Sequence, residues 1–519
     1  IRINKGENAL KAAAAVVGQT SVPLLGATAI AITAFAAIGT NDDSTGEYTR
    51  SLFTVILISL SMSWVTAVTI TPLLCEHFLK PAKQKPGEEK DPYDSAFYRG
   101  YRSFLARCIQ FRWVTIGVIL VVFGASLYGF GFLKNSFFPD STRPQFYVDL
   151  WFPEGTEIDE TVKRVARVEE KLKEYDPVTH VTSQIGGGEI RFLLTYTPEY
   201  NYPSFARIIV DIDDFKKMPE LTAQLQQDLE EFVPEANVNV RLFVNGPATG
   251  GKIQLRILGP DASELRRLAN KALVEIEADP DAKAVRNEWR SKVKVLRPQF
   301  SESPASIAGI ERPDVATAFK YSVEGVNAGV YRERDELLPI IARAPAEERV
   351  DLESLDQVRV WSPAAQQMIP IGQVMSRFET EFEDPHIWRW NRVSMIRIHV
   401  DQRTGLPSEL FARIKPKVEQ AIGVDLEQYS GAKPLKEGAK FDANTIPVRW
   451  DDQIPIEGMP GYYVAWGGEG ESSVKASGQI AAALPVFFGL MIFIVVCLFT
   501  SIKKTLVIWL TVPLAVIGV

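Results

Sequence analysis

Two uncharged apolar stretches, Trp113–Leu133 of 21 residues and Ile480–Phe499 of 20, bracket a polar block of 346 residues running from 134 to 479. At a 1.5 Å rise per residue, about 20 apolar residues cross the roughly 30 Å hydrocarbon core of a bilayer. The pattern therefore predicts a large domain held between two membrane spans. Three more apolar runs occur: Val22–Ile38, which Ala12–Val17 can extend backwards, then Leu52–Leu74 and Leu506–Val519. The segment Lys80–Arg112 carries Lys80, Lys83, Lys85, Lys90, Arg99, Arg102, Arg107 and Arg112, and the positive-inside rule assigns it to the cytoplasm. Gly39–Ser51 sets Asp42, Asp43 and Glu47 against Arg50 alone, and Lys503–Lys504 marks a further inside turn. These signs agree in placing the polar block on the exterior or periplasmic side.

Within Asp91–Arg112, Tyr93, Phe97, Tyr101, Phe104, Leu105 and Cys108 recur at steps of three or four. With Arg99, Arg102 and Arg107 between them, they predict an amphipathic helix lying in the headgroup region. The polar block itself reads as repeated βαβ units. Gln145–Phe152 alternates as a strand with Phe146, Val148, Leu150 and Phe152 on one face. Thr156, with Asp159, is expected to cap a helix whose buried face holds Ile158, Val162, Val165 and Leu172. Val178–Ile185 and Ala206–Ile212 follow as strands. A second copy is Lys252–Leu258, a helix capped by Asp261 and Glu264 with Leu265, Leu268, Leu273 and Ile276 inside, and Ala284–Trp289. A third is Ser394–Val400, a helix Ser408–Ile422 broken or bent near Pro416, and Tyr462–Trp466. Such units pack helices on one face of a small sheet, as in ferredoxin-like α+β domains. The intervening stretch reads as an inserted subdomain, and Asp425–Pro460 as a surface excursion.

Composition narrows the chemistry. A net charge of −7 gives no basic footprint for nucleic acid. Cys75, Cys108 and Cys497 all lie in or beside membrane-type segments, and His77, His180, His386 and His399 are scattered without ligand spacing. No metal centre, no cofactor and no enzyme chemistry is expected. The five apolar runs hold no ionisable residue, so any ion coupling is expected to reside elsewhere in the protein. The chain starts without Met and stops inside an apolar run, and both ends are expected to continue into a longer protein.

Four strings then stand out in order: Thr71-Pro72-Leu73-Leu74-Cys75 followed by Leu79-Lys80-Pro81, Phe137-Phe138-Pro139-Asp140, Phe152-Pro153-Glu154-Gly155-Thr156, and Val512-Pro513-Leu514-Ala515-Val516-Ile517-Gly518. With the long exterior loop between spans, the chain resembles the resistance–nodulation–division exporters, and specifically the AcrB-like hydrophobe/amphiphile efflux pumps. The resemblance implies membrane α-helical spans plus a periplasmic α+β domain, in which ferredoxin-like βαβ porter subdomains carry an inserted docking subdomain. It divides the chain into spans five and six (1–78), a cytoplasmic loop and interfacial helix (79–112), span seven (113–133), a first porter subdomain (134–240), and the opening half of a second (241–291). The docking insert (292–390), the closing half of the second porter subdomain (391–479), and spans eight and nine (480–519) complete it. It further implies a homotrimer in the inner membrane, lipid-embedded, that engages a periplasmic adaptor and an outer-membrane channel. Proton-driven export of small amphiphiles such as drugs, detergents or bile-salt-like molecules would be its work.

The resemblance also points to site residues. A family switch loop corresponds to Gly186, Gly187 and Gly188, and the substrate-facing aromatics to Phe192, Tyr196, Tyr200, Tyr202 and Phe205. Read from the residues alone, the glycines can equally be a hairpin turn and the rings a cover for a sheet edge. The stretch has fewer Phe and more Tyr than the family pattern, and adds Glu189 and Arg191, which points to a more polar amphiphile. Arg286 and Asn287 correspond to a family cleft pair, although Arg286 can equally be a surface residue paired with Glu288. The loop Asn245–Gly251 matches a family loop rich in Gly, Ala and Thr. Arg389-Trp390-Asn391 reads as structural. A heavy-metal exporter would use soft methionines, and Met218 is the only one between residues 140 and 300. The competing readings are a membrane-anchored sensor or assembly scaffold, and an exporter of a lipid or other polar amphiphile.

Overall fold

The computed structural model describes residues 8–41, 44–78, 96–132, 138–193, 196, 198–246, 250–345, 355, 358–424 and 453–518. Four helices come first: α1 (Ala9–Gly39), α2 (Ser44–Phe78), α3 (Ala96–Gln110) and α4 (Arg112–Phe130). Of these α1, α2 and α4 are long and apolar enough to cross a membrane. Trp64 Nε1 on α2 donates to the Ser21 carbonyl at 3.0 Å, removing an indole N–H from lipid. Within the predicted amphipathic stretch lies α3, which has no buried residue and exposes Phe97, Tyr101 and Phe104.

The region after α4 opens with β1 (Gln145–Trp151), α5 (Ile158–Lys173), β2 (Val178–Ile185), β3 (Phe205–Ile212), α6 (Met218–Phe232) and β4 (Asn237–Leu242). The strands form an antiparallel sheet in the order β2-β3-β1-β4. Phe146, Val148, Leu150 and Phe152 face the helices as their alternation predicts, packing with Val165, Val168 and Leu172 of α5 and Leu225 and Leu229 of α6. Two expectations need correction. Thr156 does not cap α5: its hydroxyl donates to the Pro153 carbonyl at 2.7 Å, and the helix begins at Ile158. Ile158 and Val162 are exposed, because the buried stripe runs through Thr161, Val165, Val168 and Leu172. Thr161 can be buried because its hydroxyl donates to the Pro203 carbonyl at 2.9 Å.

Next come β5 (Ile253–Leu258), α7 (Ala262–Glu277) and β6 (Ala282–Asn287). Asp261 caps α7 as expected, its Oδ1 accepting from the Glu264 N–H at 2.9 Å. The strand ends before Trp289, which is fully buried and belongs to a separate compact unit made of Pro153–Glu157 and Trp289–Ile387. That unit holds β7 (Val293–Phe300), α8 (Glu302–Ala308), α9 (Arg312–Val323), β8 (Val326–Glu333), β9 (Glu336–Ala342), β10 (Arg359–Ser362), β11 (Gln367–Pro370) and β12 (Met375–Glu383). Its core gathers Ala305, Ile310, Val315, Val360, Ile371 and Val374. Arg290 pairs with Glu154, which joins the two stretches of the unit.

The chain then gives β13 (Arg389–Trp390), β14 (Val393–Gln402), α10 (Pro407–Ile422), β15 (Ile454–Pro455) and β16 (Tyr463–Gly468). α10 is one continuous helix through Pro416 rather than a broken one. The excursion between α10 and β15 falls outside the described residues from 425 to 452. The sheet runs β13-β14-β5-β16-β15, with β6 on the far side of β14. The order β6-β14-β5-β16 repeats β2-β3-β1-β4. The three predicted βαβ copies are therefore two complete βαββαβ folds, the second split by the inserted unit. Reading three copies missed α6 and β4, whose Leu221, Leu225 and Leu229 fall at helical spacing and whose Val238 and Val240 alternate. Both subdomains are ferredoxin-like.

β16 passes directly into α11 (Glu469–Phe499), the fourth helix long and apolar enough to cross a membrane. α12 (Ile502–Thr511) is only 10 residues long and gives way to a 3₁₀ segment, Val512–Gly518, so the run Leu506–Val519 is not the single regular helix its hydropathy predicts. Pro513, which lacks an N–H, sits at that change. Gly26 of α1 packs against α11, and a Cβ there would lie 2.3 Å from Leu498 Cδ1, so the Leu498 side chain would have to turn aside.

The two subdomains are stitched by buried polar groups. Asn239 Nδ2 donates to Asp401 Oδ2 at 2.7 Å, the Lys252 N–H donates to Asp401 Oδ1 at 2.7 Å, and Arg241 lies 3.5 Å from the same carboxylate. Burial of this carboxylate is outweighed by the field of Arg241 and by these donors, which lower the Asp401 pKa to about 2. His399, beside Glu288, is lowered by burial and by Arg286 to about 4. Both native values lie below the unfolded ones, so the unfolded chain binds more protons and acid destabilises the fold. His399 contributes the loss between about pH 6.5 and 4, and Asp401 that between about 4 and 2, each worth about 2–3 kcal/mol. Asp401→Asn is expected to lower stability at neutral pH and to flatten the acid limb below pH 4 in chemical-denaturation curves.

Candidate functional site

The helices cover one face of the first sheet, and Leu193, Tyr196, Tyr202 and Phe205 pack on the other. On that outer face the odd positions of β1 and β3 carry Tyr147, Asp149, Trp151, Phe205 and Arg207. Asp149 and Arg207 are both buried and bonded through Arg207 Nε to Oδ1 and Nη2 to Oδ2, the latter at 2.9 Å. Arg207 also lies over the rings of Tyr147 at 4.6 Å, Tyr196 at 5.1 Å and Phe205 at 5.6 Å. Against the cost of burial, neighbouring Asp149 holds the guanidinium ionised.

Gly186, Gly187 and Gly188 are not the tip of a turn. The Gly186 N–H donates to the Phe205 carbonyl at 2.8 Å, the Tyr202 N–H donates to the Gly186 carbonyl at 3.0 Å, and the Gly188 N–H donates to the Glu199 carbonyl at 3.3 Å. The glycines thus extend the β2–β3 pairing into the root of the loop. A Cβ on Gly188 would lie 2.4 Å from the Glu199 nitrogen, so the two arms approach too closely for a side chain.

The five predicted aromatics separate into two groups. Tyr196, Tyr202 and Phe205 are buried, whereas Phe192 is 45% exposed and Tyr200 67% exposed. Phe192 stacks on Tyr196 at 4.9 Å and meets Phe243 edge-on at 5.9 Å. Tyr200 stacks on Trp388 at 5.6 Å. Tyr202 and Phe205 pack with Trp151, whose ring carries the Arg286 guanidinium at 4.1 Å. Among the described residues Arg286 makes no ion pair with Glu288, which instead pairs with Arg397 at 3.5 Å. Asn287 ends β6 opposite Ile398. Arg286 therefore joins the cluster of Tyr202 and Phe205 from about 80 residues away in sequence. Sequence reasoning missed Trp151, Phe243, Asp149 and Arg207. The signal for the last two was a charge in mid-strand, in phase with its partner on the neighbouring strand. Of the loop Asn245–Gly251, residues 247–249 lie outside the described residues.

The profile of the AcrB/AcrD/AcrF family matches residues 1–432 of this chain. The chain belongs to that family. Among relatives, a cobalt-zinc-cadmium resistance protein, CzcA of Cupriavidus metallidurans, is 20% identical over 486 residues, which are 90% of this chain and 41% of the relative. The cation efflux system protein CzcA of an Alcaligenes species matches to the same extent. A crystal structure of a heavy metal efflux pump superposes with a TM-score of 0.70 at 16% identity, over 97% of this chain and 47% of that one. The chain thus spans under half the length of these relatives. The fold is that of a resistance–nodulation–division transporter, as the AcrB/AcrD/AcrF membership implies.

Proposed function

We propose that this chain belongs to an inner-membrane efflux transporter that exports amphiphilic compounds from the periplasm and outer leaflet, driven by an ion gradient and by alternating access of its two ferredoxin-like subdomains. The observation that carries the reading is the loop of Gly186–Phe205, which presents Phe192 and Tyr200 outward from a buried aromatic layer. Rings offer broad, weakly directional contact suited to amphiphiles. A homotrimer, a periplasmic adaptor docked on the inserted unit and an outer-membrane channel complete the proposed assembly.

The test is the full-length gene in a susceptible host lacking its own pumps. Phe192→Ala is expected to lower resistance to detergents and dyes by about four-fold or more, at unchanged membrane abundance. Unchanged resistance for Phe192→Ala and Tyr200→Ala together would remove the loop from the transport path.

Export of a divalent metal cation is the second reading, favoured by the substrates in the relatives' names. Against it, no group of three or more His, Cys, Asp or Glu side chains converges among the described residues. Met218 is buried among aliphatic side chains in the core of the first subdomain. Cobalt, zinc and cadmium tolerance in the same host separates the two readings.

A further inference from the structure

The apolar side of α3 is uncovered among the described residues. Phe97, Tyr101, Phe104, Leu105 and Ile109 recur on it at helical spacing, and Phe97 is 77% and Ile109 73% exposed. Only Phe111 separates α3 from α4, which is long and apolar enough to cross a membrane. The elbow between them is tied. The Thr115 hydroxyl on α4 donates to the Cys108 carbonyl at 3.0 Å, and the Phe111 N–H donates to the Arg107 carbonyl at 2.9 Å. The end of α3 is therefore held at the mouth of that span, with the surface layer of the bilayer within reach of its rings.

Charge decides which bilayer surface fits. Arg99, Arg102, Arg107 and Arg112 fall between Ala96 and Arg112, with no Asp or Glu among them. Arg102 borders the apolar stripe on the side of Leu105 and Ile109, and Arg107 borders it on the side of Phe104, three residues earlier. From such a border the apolar stem of an arginine follows the rings inward while its guanidinium stays at the water interface. We propose that α3 docks on anionic phospholipid, with its rings among the first acyl carbons and Arg102 and Arg107 on the headgroup phosphates. A guanidinium matches phosphate through paired N–H donors. Each basic charge close to an acidic leaflet strengthens attachment about five-fold. A protein partner would have to supply an apolar groove and a rim of carboxylates together, whereas an acidic bilayer offers both beside a helix already tied to a span. Attachment holds the α3–α4 elbow at headgroup depth and so fixes how deeply α4 sits. It is independent of what the protein exports.

Lipid with brominated acyl chains quenches a fluorophore it touches, so the lipid beside α3 can be read at a single position. The full-length protein, with a fluorophore on Ile109→Cys and its other cysteines replaced, is placed in phosphatidylcholine nanodiscs. These contain a small, equal fraction of brominated phosphatidylglycerol or brominated phosphatidylcholine. Quenching by the anionic lipid is expected to be about five-fold stronger, and to weaken as salt is raised. Arg102→Gln with Arg107→Gln should bring the two lipids level, and Arg102→Lys with Arg107→Lys should keep most of the preference, since charge is retained. Equal quenching by both lipids in the unaltered helix would overturn the proposal, as would a preference that survives the glutamine pair. Loss in the lysine pair as well would place the effect in helix packing rather than charge and overturn it too. Quenching by neither lipid would show that protein, and not bilayer, covers α3. Resistance of cells to exported compounds does not enter the measurement, so failure of the export reading leaves this outcome untouched.

Discussion

Asp149→Ala is expected to destabilise the protein by about 3–5 kcal/mol, because it leaves the buried Arg207 guanidinium without its counter-charge. Both side chains are buried, so water cannot replace the lost carboxylate. Arg207 also holds the Tyr196 hydroxyl and lies against three rings, so the loss spreads into the layer beneath the loop. The apparent melting temperature of the purified protein should fall by several degrees. The double variant Asp149→Leu with Arg207→Met should recover much of the loss, since a well-packed apolar pair avoids the desolvation of two ions. A double variant no more stable than Asp149→Ala would show that the pair contributes through the Tyr196 bond rather than through charge balance.

Gly468→Val is expected to abolish assembly of the mature protein in the membrane. Gly468 has φ 105° and ψ −148°, a region that side-chain-bearing residues avoid at a cost of about 1–3 kcal/mol. A Cβ there would lie 2.3 Å from the Lys252 carbonyl oxygen, which accepts the Glu469 N–H at 2.9 Å. Strain and collision act together where β16 becomes α11. Glu471, in the first turn of α11, is bonded to Arg256 of β5 at 2.7 Å and to Lys475 at 2.8 Å, so the joint has no slack to absorb the change. Gly468→Ala should retain a trace of folded protein and Gly468→Val none, read as membrane-inserted protein resistant to mild proteolysis. Normal levels of the valine variant would show that the joint can open.

Much of the architecture was legible because its signals are periodic. The apolar runs marked α1, α2, α4 and α11. The alternation of Phe146, Val148, Leu150 and Phe152 marked the core face of the first sheet, and Asp261 the start of α7. What stayed hidden depended on partners distant in sequence. Thr161 is polar, and only the carbonyl of Pro203 makes it a core residue. Thr156 looks like a cap, and only the turn at Pro153 shows where its hydroxyl goes. β6 and β14 look like members of separate copies until the pairing of Arg286 with His399 places them in one sheet. The candidate site shows the same limit. The aromatic spacing from Phe192 to Phe205 is visible in sequence, but not which rings are buried, because Tyr196 and Phe205 pack on Arg207, and Tyr202 on Trp151, across strands distant in sequence.

The splitting of the second ferredoxin-like subdomain also fixes an order of events during synthesis. The first subdomain is contiguous from β1 to β4 and can close as soon as β4 has been synthesised. β5 cannot, since it pairs with β14 and β16, and its Arg256 awaits a partner 215 residues further on. The inserted unit, with its own core, can collapse while β5, α7 and β6 still wait with unpaired edges. Pairing of long sequence separation is slow and leaves edges open to aggregation. The second subdomain therefore completes only when β16 emerges, at the moment α11 enters the bilayer, so insertion of that span is the step that seals the sheet. Chaperone dependence should concentrate in this interval, on the segment between β5 and β16.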